Sequence, residues 1–242
     1  QFVNTGLRVS LASLKGRFPD IPKISICNDL VAMGSGLMSL RADELQLLTP
    51  KDAAGIQDGT IALLAPGTGL GEAFIIGGKV HPSEGSHTEF GPRSELEYRL
   101  LQHLRNQYGH VSYERIVSGP GLENSYGFVT KDKPGSDRIG VQEISRRALV
   151  NSCPICLQTL DIFLSVLGAE AGNLALKVSA LGGVILGGGI LQEILPAMGT
   201  FKLLQAFYSK GRYSDYMHRL PVHLILNNKT ALLGAALIAD SL

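Results

Sequence analysis

Apolar positions along the chain fall into short unbroken blocks and into blocks spaced by three and four residues. Ile24-Ser25-Ile26-Cys27 is a β-prone run that follows Pro19 and Pro22 and stops at Asn28-Asp29. Leu30 to Leu48 has helical spacing, weakened at its start by Gly34 and Gly36. Thr49 to Gly59 is a polar, turn-forming connection. Thr60 to Pro66 is apolar almost throughout, as a strand covered on both faces would be, and runs straight into Gly67-Thr68-Gly69-Leu70-Gly71. Strand character resumes over Ala73 to Ile76, and Gly77-Gly78 predicts a hairpin turn.

His81 to Pro92 reads as a polar, irregular loop. Ser94-Glu95-Leu96-Glu97 is a capping box, and the helix it opens carries Leu96, Leu100, Leu101, Leu104 and Tyr108 on one face, with Gly109 as its stop. Thr130 to Arg138 is a charged surface loop. Val141 to Val150 predicts a helix, and a longer one runs from Ser152 towards Leu181. Val184-Ile185-Leu186 is a strand followed at once by Gly187-Gly188-Gly189. Val222 to Leu226 is another strand, and Ala231 to Ala239 a closing apolar helix. Strands and helices mix throughout, so the fold class is α/β.

Composition narrows the function classes. The 242 residues carry 22 Lys plus Arg against 21 Asp plus Glu. The resulting net charge of +1 gives no electrostatic case for nucleic acid or an anionic membrane. The most apolar stretch, Val178 to Leu191, is too short and too glycine-rich to span a bilayer. Gln1 to Ser10 lacks the layout of a signal peptide. Three cysteines, Cys27, Cys153 and Cys156, make no disulfide framework, so reduced cytosolic thiols are expected.

Five constellations could carry chemistry. Gly67-Thr68-Gly69-Leu70-Gly71 offers backbone N–H groups and a hydroxyl to an anion, although an ordinary tight turn fits equally well. It is neither a Walker A loop, lacking Lys-Ser/Thr, nor a dinucleotide fingerprint, because β-prone residues follow it. Gly187-Gly188-Gly189 suits either a planar ligand or close helix–strand packing. Asn28-Asp29 could supply a weak base, or simply cap a helix. Glu84, His87 and Glu114 suit a polyhydroxylated ligand, or are solvated loop residues. A single Glu-x-x-His predicts no metal site. Cys153-Pro154-Ile155-Cys156 could bind zinc or cycle as a redox pair, but without a second pair two buried helix-face thiols are expected.

Taken in order, these motifs carry a resemblance. I-C-N-D at Ile26 to Asp29, A-P-G-T-G-L-G at Ala65 to Gly71, E-G-S-H-T-E-F at Glu84 to Phe90, G-H-V-S-Y-E-R-I-V-S-G-P-G-L at Gly109 to Leu122, G-G-G-I at Gly187 to Ile190 and L-L-G-A-A at Leu232 to Ala236 resemble the bacterial glucokinase family. That family lies within the hexokinase–actin–heat-shock ATPase superfamily, and the resemblance runs from about Leu7 to the end.

The resemblance implies two ribonuclease-H-like α/β domains around a cleft. Residues 1–38, joined by the closing helix at 230–242, would be what is present of the small domain, and 39–229 would form the large one. It implies a cytoplasmic, ATP-dependent transfer of phosphate to the 6-hydroxyl of glucose, the first step of glycolysis, with Mg²⁺ carried by ATP. Asp29 would be the general base. Asn28, Glu84, His87 and Glu114 would hold the sugar hydroxyls. Gly67, Thr68 and Gly69 would form a phosphate loop, and Gly187, Gly188 and Gly189 would line the adenosine site. It is compatible with a homodimer.

Two departures stand out. Ser86 occupies a position where the family usually has glycine. The superfamily's first phosphate motif, Asp-x-Gly-Gly-Thr, occurs nowhere in the chain, and Asp58-Gly59-Thr60 is no substitute. The chain begins at Gln1, so the expectation is that the motif and most of the small domain lie upstream and that this chain by itself is inactive. The alternative is a non-catalytic sugar-binding remnant. The C-x-C-G-x-x-G-C zinc signature of the other bacterial sugar-kinase branch is also missing.

Overall fold

Apolar strands without polar alternation need cover on both faces. The computed structural model shows that cover, and describes residues 9–50, 59–131, 139–150, 152–194 and 202–242. Its strands are β1 (Leu45–Leu47), β2 (Ile61–Pro66), β3 (Leu70–Ile76), β4 (Lys79–Ser83), β5 (Gly183–Leu186) and β6 (Val222–Ile225). Its α-helices are α1 (Leu11–Arg17), α2 (Asp29–Leu37), α3 (Glu95–Tyr108), α4 (Gly119–Thr130), α5 (Val141–Leu149), α6 (Pro154–Lys177), α7 (Gly189–Ile194), α8 (Leu203–Tyr208), α9 (Ser214–His218) and α10 (Thr230–Asp240).

The six strands form one mixed sheet in the order β1-β6-β5-β2-β3-β4. The central pairs β2–β5 and β5–β6 are parallel; β2–β3, β3–β4 and β1–β6 are antiparallel. Alternate residues serve alternate faces. Ala62, Leu64, Val184, Leu186, Val222 and Leu224 face the large core built on α6, whereas Ile61, Leu63, Ala65, Ile185 and Ile225 face Leu30 and Leu37 of α2. Helix α6 starts with Pro154 at its first turn and is buried over most of its length. It is long and apolar enough to cross a membrane, but 72% of its most apolar window is buried inside the protein, as befits a core helix. On the other face α10 crosses α2 with backbones in contact, where a side chain at Gly234 would fall on the Ala32 carbonyl.

Several sequence expectations hold. Ser94 Oγ accepts from the Glu97 N–H at 3.2 Å and Gly109 caps α3, while the other half of the expected capping box is missing: the Glu97 carboxylate accepts from the Arg93 N–H at 2.7 Å. The strand–glycine loop–strand unit, the Gly77-Gly78 turn, α5, α6, β5, β6 and α10 also stand where expected.

Others are corrected. Ile24 to Cys27 forms no strand. An extended segment needs a neighbour for its N–H and C=O groups, and none pairs with it among the described residues. The helix from Leu30 ends at Leu37, because Leu45–Leu47 pairs instead with β6, through Leu45 opposite Ile225. Strand character returns at Leu70 rather than Ala73, and His81 lies in β4 rather than in a loop. The middle of the expected Thr49–Gly59 connection and most of the Thr130–Arg138 loop lie outside the described residues.

Candidate active site

The site forms at the carboxyl ends of β2 and β5, where open α/β sheets place ligands. β2 ends at Pro66, and Gly67-Thr68-Gly69 turns the chain into β3. The Gly67 N–H donates to the Gly69 carbonyl at 2.7 Å, and the Gly67 carbonyl accepts from the Gly119 N–H at 2.7 Å. That second bond ties the loop to the start of α4. Ser118 opens α4 in turn, its Oγ accepting from the Gly121 N–H at 3.0 Å and donating to the Glu114 carbonyl at 2.7 Å.

On one side of this loop stand the polar residues singled out for a sugar. Glu84 and His87 flank the short turn Gly85–His87, and Glu114 lies in the turn Tyr113–Arg115. An antiparallel bridge between Glu89 and Ser112 holds the two turns together, with the Phe90 N–H donating to the Val111 carbonyl at 2.9 Å. The imidazole of His87 lies 3.6 Å from Glu84 Oε2 through Nε2 and 3.8 Å from Glu114 Oε1 through Nδ1. Glu114 Oε2 accepts from the Leu70 N–H at 2.9 Å, immediately after the glycine loop. A side chain at Gly69 would fall on that same carboxylate oxygen. His110 Nε2 donates to the His87 carbonyl at 2.8 Å, which fixes the turn from behind. Glu84 and His87 are exposed and Glu114 half-buried, so each can meet a ligand.

Asn28 and Asp29 begin α2. Asn28 Oδ1 accepts from the N–H groups of Leu30 and Val31 at 2.8 and 3.3 Å, so this residue is a helix cap. Asp29 is exposed, and Leu30 beside it packs directly over Gly71, which brings the start of α2 to the glycine loop.

The other side of the loop opens on a cavity of about 830 Å³. Gly67, Thr68, Gly119, Gly140, Arg146 and Gly189 are among its lining, so the amino-terminal ends of α4 and α5 both reach it. Helix amino termini present unpaired N–H groups and favour anions. Glu123, Glu143 and Glu193 stand around the same space. Arg146 donates two bonds of 2.7 Å to Glu143, and with Arg147 it holds that carboxyl down at about 2.

The structure therefore brings Gly67, Thr68 and Gly189 to the cavity, but not Gly69, which faces the Glu114 carboxylate, nor Gly187 or Gly188. Gly187 packs against Met33, and Gly188, at φ +95°, lies against the Pro66 carbonyl. The sequence pattern gives Arg146, Arg147 and Glu143 no role; nothing local in the chain says that α5 would face Thr68.

Beneath the Gly85–His87 turn lies a buried polar layer that the sequence did not reveal. Glu72 on β3 is 1% exposed and without a hydrogen-bond partner, and a side chain at Gly85 would strike it. Burial, and then the nearby Glu170, push its carboxyl up to about 8. Asn173 donates to Glu170 at 2.9 Å and to the Tyr113 hydroxyl at 3.0 Å, which links this layer to the turn that carries Glu114.

Comparisons with known proteins point to one family. The family model described as Glucokinase matches residues 1–242. A glucokinase of Synechocystis sp. is 36% identical over 249 residues, covering 90% of this chain and 69% of that protein. Among solved structures, a glucokinase from an Antarctic psychrotroph superposes with a TM-score of 0.83 at 29% identity, over 97% of this chain and 73% of the other. A glucokinase of the ROK family from Streptomyces griseus, solved in complex with glucose and AMPPNP, shares the fold with a TM-score of 0.65 at 21% identity, covering 95% of this chain and 72% of that one.

Proposed function

The chain belongs to the glucokinase family, and from that premise we propose that it binds glucose at Glu84, His87 and Glu114 and directs phosphoryl transfer from ATP to the sugar 6-hydroxyl, in the cytoplasm. One observation carries the reading: three groups suited to vicinal hydroxyls converge on one side of the Gly67–Gly69 loop, and the other side of that loop opens on a cavity edged by two helix amino termini. Carboxylates accept from sugar hydroxyls, and the imidazole can donate or accept. Asn28, whose Oδ1 is used in capping, keeps its amide NH₂ for a sugar oxygen.

Asp29 takes the proton of the 6-hydroxyl as that oxygen attacks the γ-phosphorus, and ADP leaves. A weak base suffices, because positioning and charge stabilisation supply most of the rate in phosphoryl transfer. Thr68 and the helix amino termini meet the nucleotide phosphates, and Glu123, Glu143 and Glu193 are placed to accept from ribose hydroxyls. Mg²⁺ would come with the nucleotide and offset the charge on its phosphates. The division into a small-domain part (1–38 with 230–242) and a large domain (39–229) belongs to the same proposal, supported by the packing of α10 on α2.

A second reading, glucose binding without transfer, is favoured by the lack of Asp-x-Gly-Gly-Thr in the 242 residues. The test is glucose 6-phosphate formation and glucose-induced thermal stabilisation, measured on the same preparations of the wild type and Asp29→Asn. Loss of a general base costs about 10²- to 10⁴-fold in rate while sugar binding stays. An Asp29→Asn protein turning over at the wild-type rate overturns the assignment. Stabilisation by glucose with no product from the wild type shows that these 242 residues bind the sugar without carrying out the transfer.

A further inference from the structure

The Cys153-Pro154-Ile155-Cys156 segment has no part in the site described above. Cys153 is the cap residue of α6, partly exposed, while Cys156 lies one turn inside the helix and is fully buried. Cys153 makes no side-chain capping hydrogen bond at the start of α6, and Cys156 follows it three residues on, within the first turn of the helix. The backbone holds this arrangement firmly. The Cys153 N–H donates to the Arg147 carbonyl at 3.0 Å, and the Leu157 N–H donates to the Cys153 carbonyl at 2.9 Å. Residues three apart on a helix have Cβ atoms about 5–6 Å apart, and a disulfide holds them about 3.5–4.5 Å apart, so the cap residue must move inward by about 1–2 Å for the bond to form.

We propose that Cys153 and Cys156 are a dithiol that oxidises to an intrachain disulfide, with Cys153 as the attacking thiol and Cys156 as the resolving one. The two sulfurs sit in opposite environments, as such a couple requires. The backbone N–H groups at the start of α6, that of Cys156 above all, with the Arg147 guanidinium beyond them, hold the Cys153 thiol below its ordinary range. Burial pushes the Cys156 thiol up to about 12, so the inner group stays a thiol until the outer one has reacted. Glu143 on α5 is the other charged group near the pair, and Arg147 Nε donates to its carboxylate at 2.6 Å.

With glutathione disulfide as oxidant, the Cys153 thiolate attacks one sulfur, the glutathione S–S bond breaks, and one glutathione thiolate leaves. Cys156 then gives up its proton and attacks the Cys153 sulfur, and the second glutathione leaves. Two protein thiols are oxidised and one disulfide is reduced to two thiols. The consequence reaches the nucleotide cavity through Arg147, which is tied by its carbonyl to Cys153 and by its side chain to Glu143.

The 242-residue chain is equilibrated with glutathione disulfide, quenched in acid, alkylated and weighed intact. The wild type and Cys27→Ser are expected to lose two alkylatable thiols and carry no glutathione. Cys156→Ser is expected to stop as a single mixed disulfide at Cys153, and Cys153→Ser to lose none of the pair. The half-exposed Cys153 keeps this test independent of folding, and its alkylation at neutral pH is expected to outpace that of the exposed Cys27 in the folded wild type. The proposal is overturned if wild-type glutathione stays on Cys153 or goes only to Cys27, or if Cys153 reacts no faster than Cys27.

Discussion

Two glycine loops leave neighbouring parallel strands, β2 and β5, at the same end of the sheet, and they carry glycine for different reasons. In Gly67-Thr68-Gly69 the backbone stands in the open. A side chain at Gly67 would meet nothing within 4 Å, and Thr68 is exposed. Gly69 is constrained only by the Glu114 carboxylate, so the loop is shaped by what it presents. Gly187 and Gly188 are shaped by what they pack against. A Cβ at Gly187 would lie 2.8 Å from the Met33 sulfur, and Gly188 combines a φ of +95° with contact on the Pro66 carbonyl. Only Gly189, the first residue of α7, opens on the cavity. A run of glycines after a strand thus marks either a ligand surface or a backbone contact, and the partner residues decide which.

The sharpest way to break this comparison is Gly188→Ala. A left-handed backbone and a methyl group driven into a carbonyl should together cost about 3 kcal/mol or more in urea unfolding; a loss below 1 kcal/mol would place this loop with the first. Next comes the strand that follows the first loop. The Glu72 carboxyl is raised from 4.5 to about 8. The native state therefore binds the extra proton between those values, and stability falls as pH rises through that window. The expected loss is about 2 kcal/mol between pH 6 and 8, and Glu72→Gln should flatten it. An unchanged pH profile in the variant would remove Glu72 from the account. Smaller still, Gly69→Ala should cost about 1 kcal/mol in stability, since a movable carboxylate can give way, yet weaken glucose binding about tenfold by displacing Glu114 from the Leu70 N–H. Smallest are Gly67→Ala and Gly189→Ala, each with open space for a methyl group, which should shift the unfolding midpoint by less than about 0.5 kcal/mol.

The sequence made some of this legible and hid the rest for physical reasons. The β2 strand, its glycine turn and the capped helix α3 are local: spacing, caps and turn residues suffice to specify them. The three residues of β1 are not local, because their strand state comes from β6, with Leu45 opposite Ile225 across the sheet. Ile24 to Cys27 shows the reverse case, with strand propensity but no pairing strand among the described residues. At the site, Glu84, His87 and Glu114 could be named from the chain, whereas their convergence depends on the Glu89–Ser112 bridge. The burial of Glu72 under Gly85 and the arrival of Arg146 at the cavity depend on packing between distant elements. The ambiguity of Gly187-Gly188-Gly189 resolves only through Met33 and Pro66.

Glucose binding beside the first loop is the property on which the function of this site turns. Calorimetric titration of glucose into the wild type and Glu114→Gln tests it most directly, because glutamine can still accept from the Leu70 N–H while losing the charge. A wild type that binds glucose, and a variant of unchanged thermal stability that binds about tenfold or more weakly, is the predicted result. Equal affinity in the two proteins would contradict it and move the sugar away from Glu114.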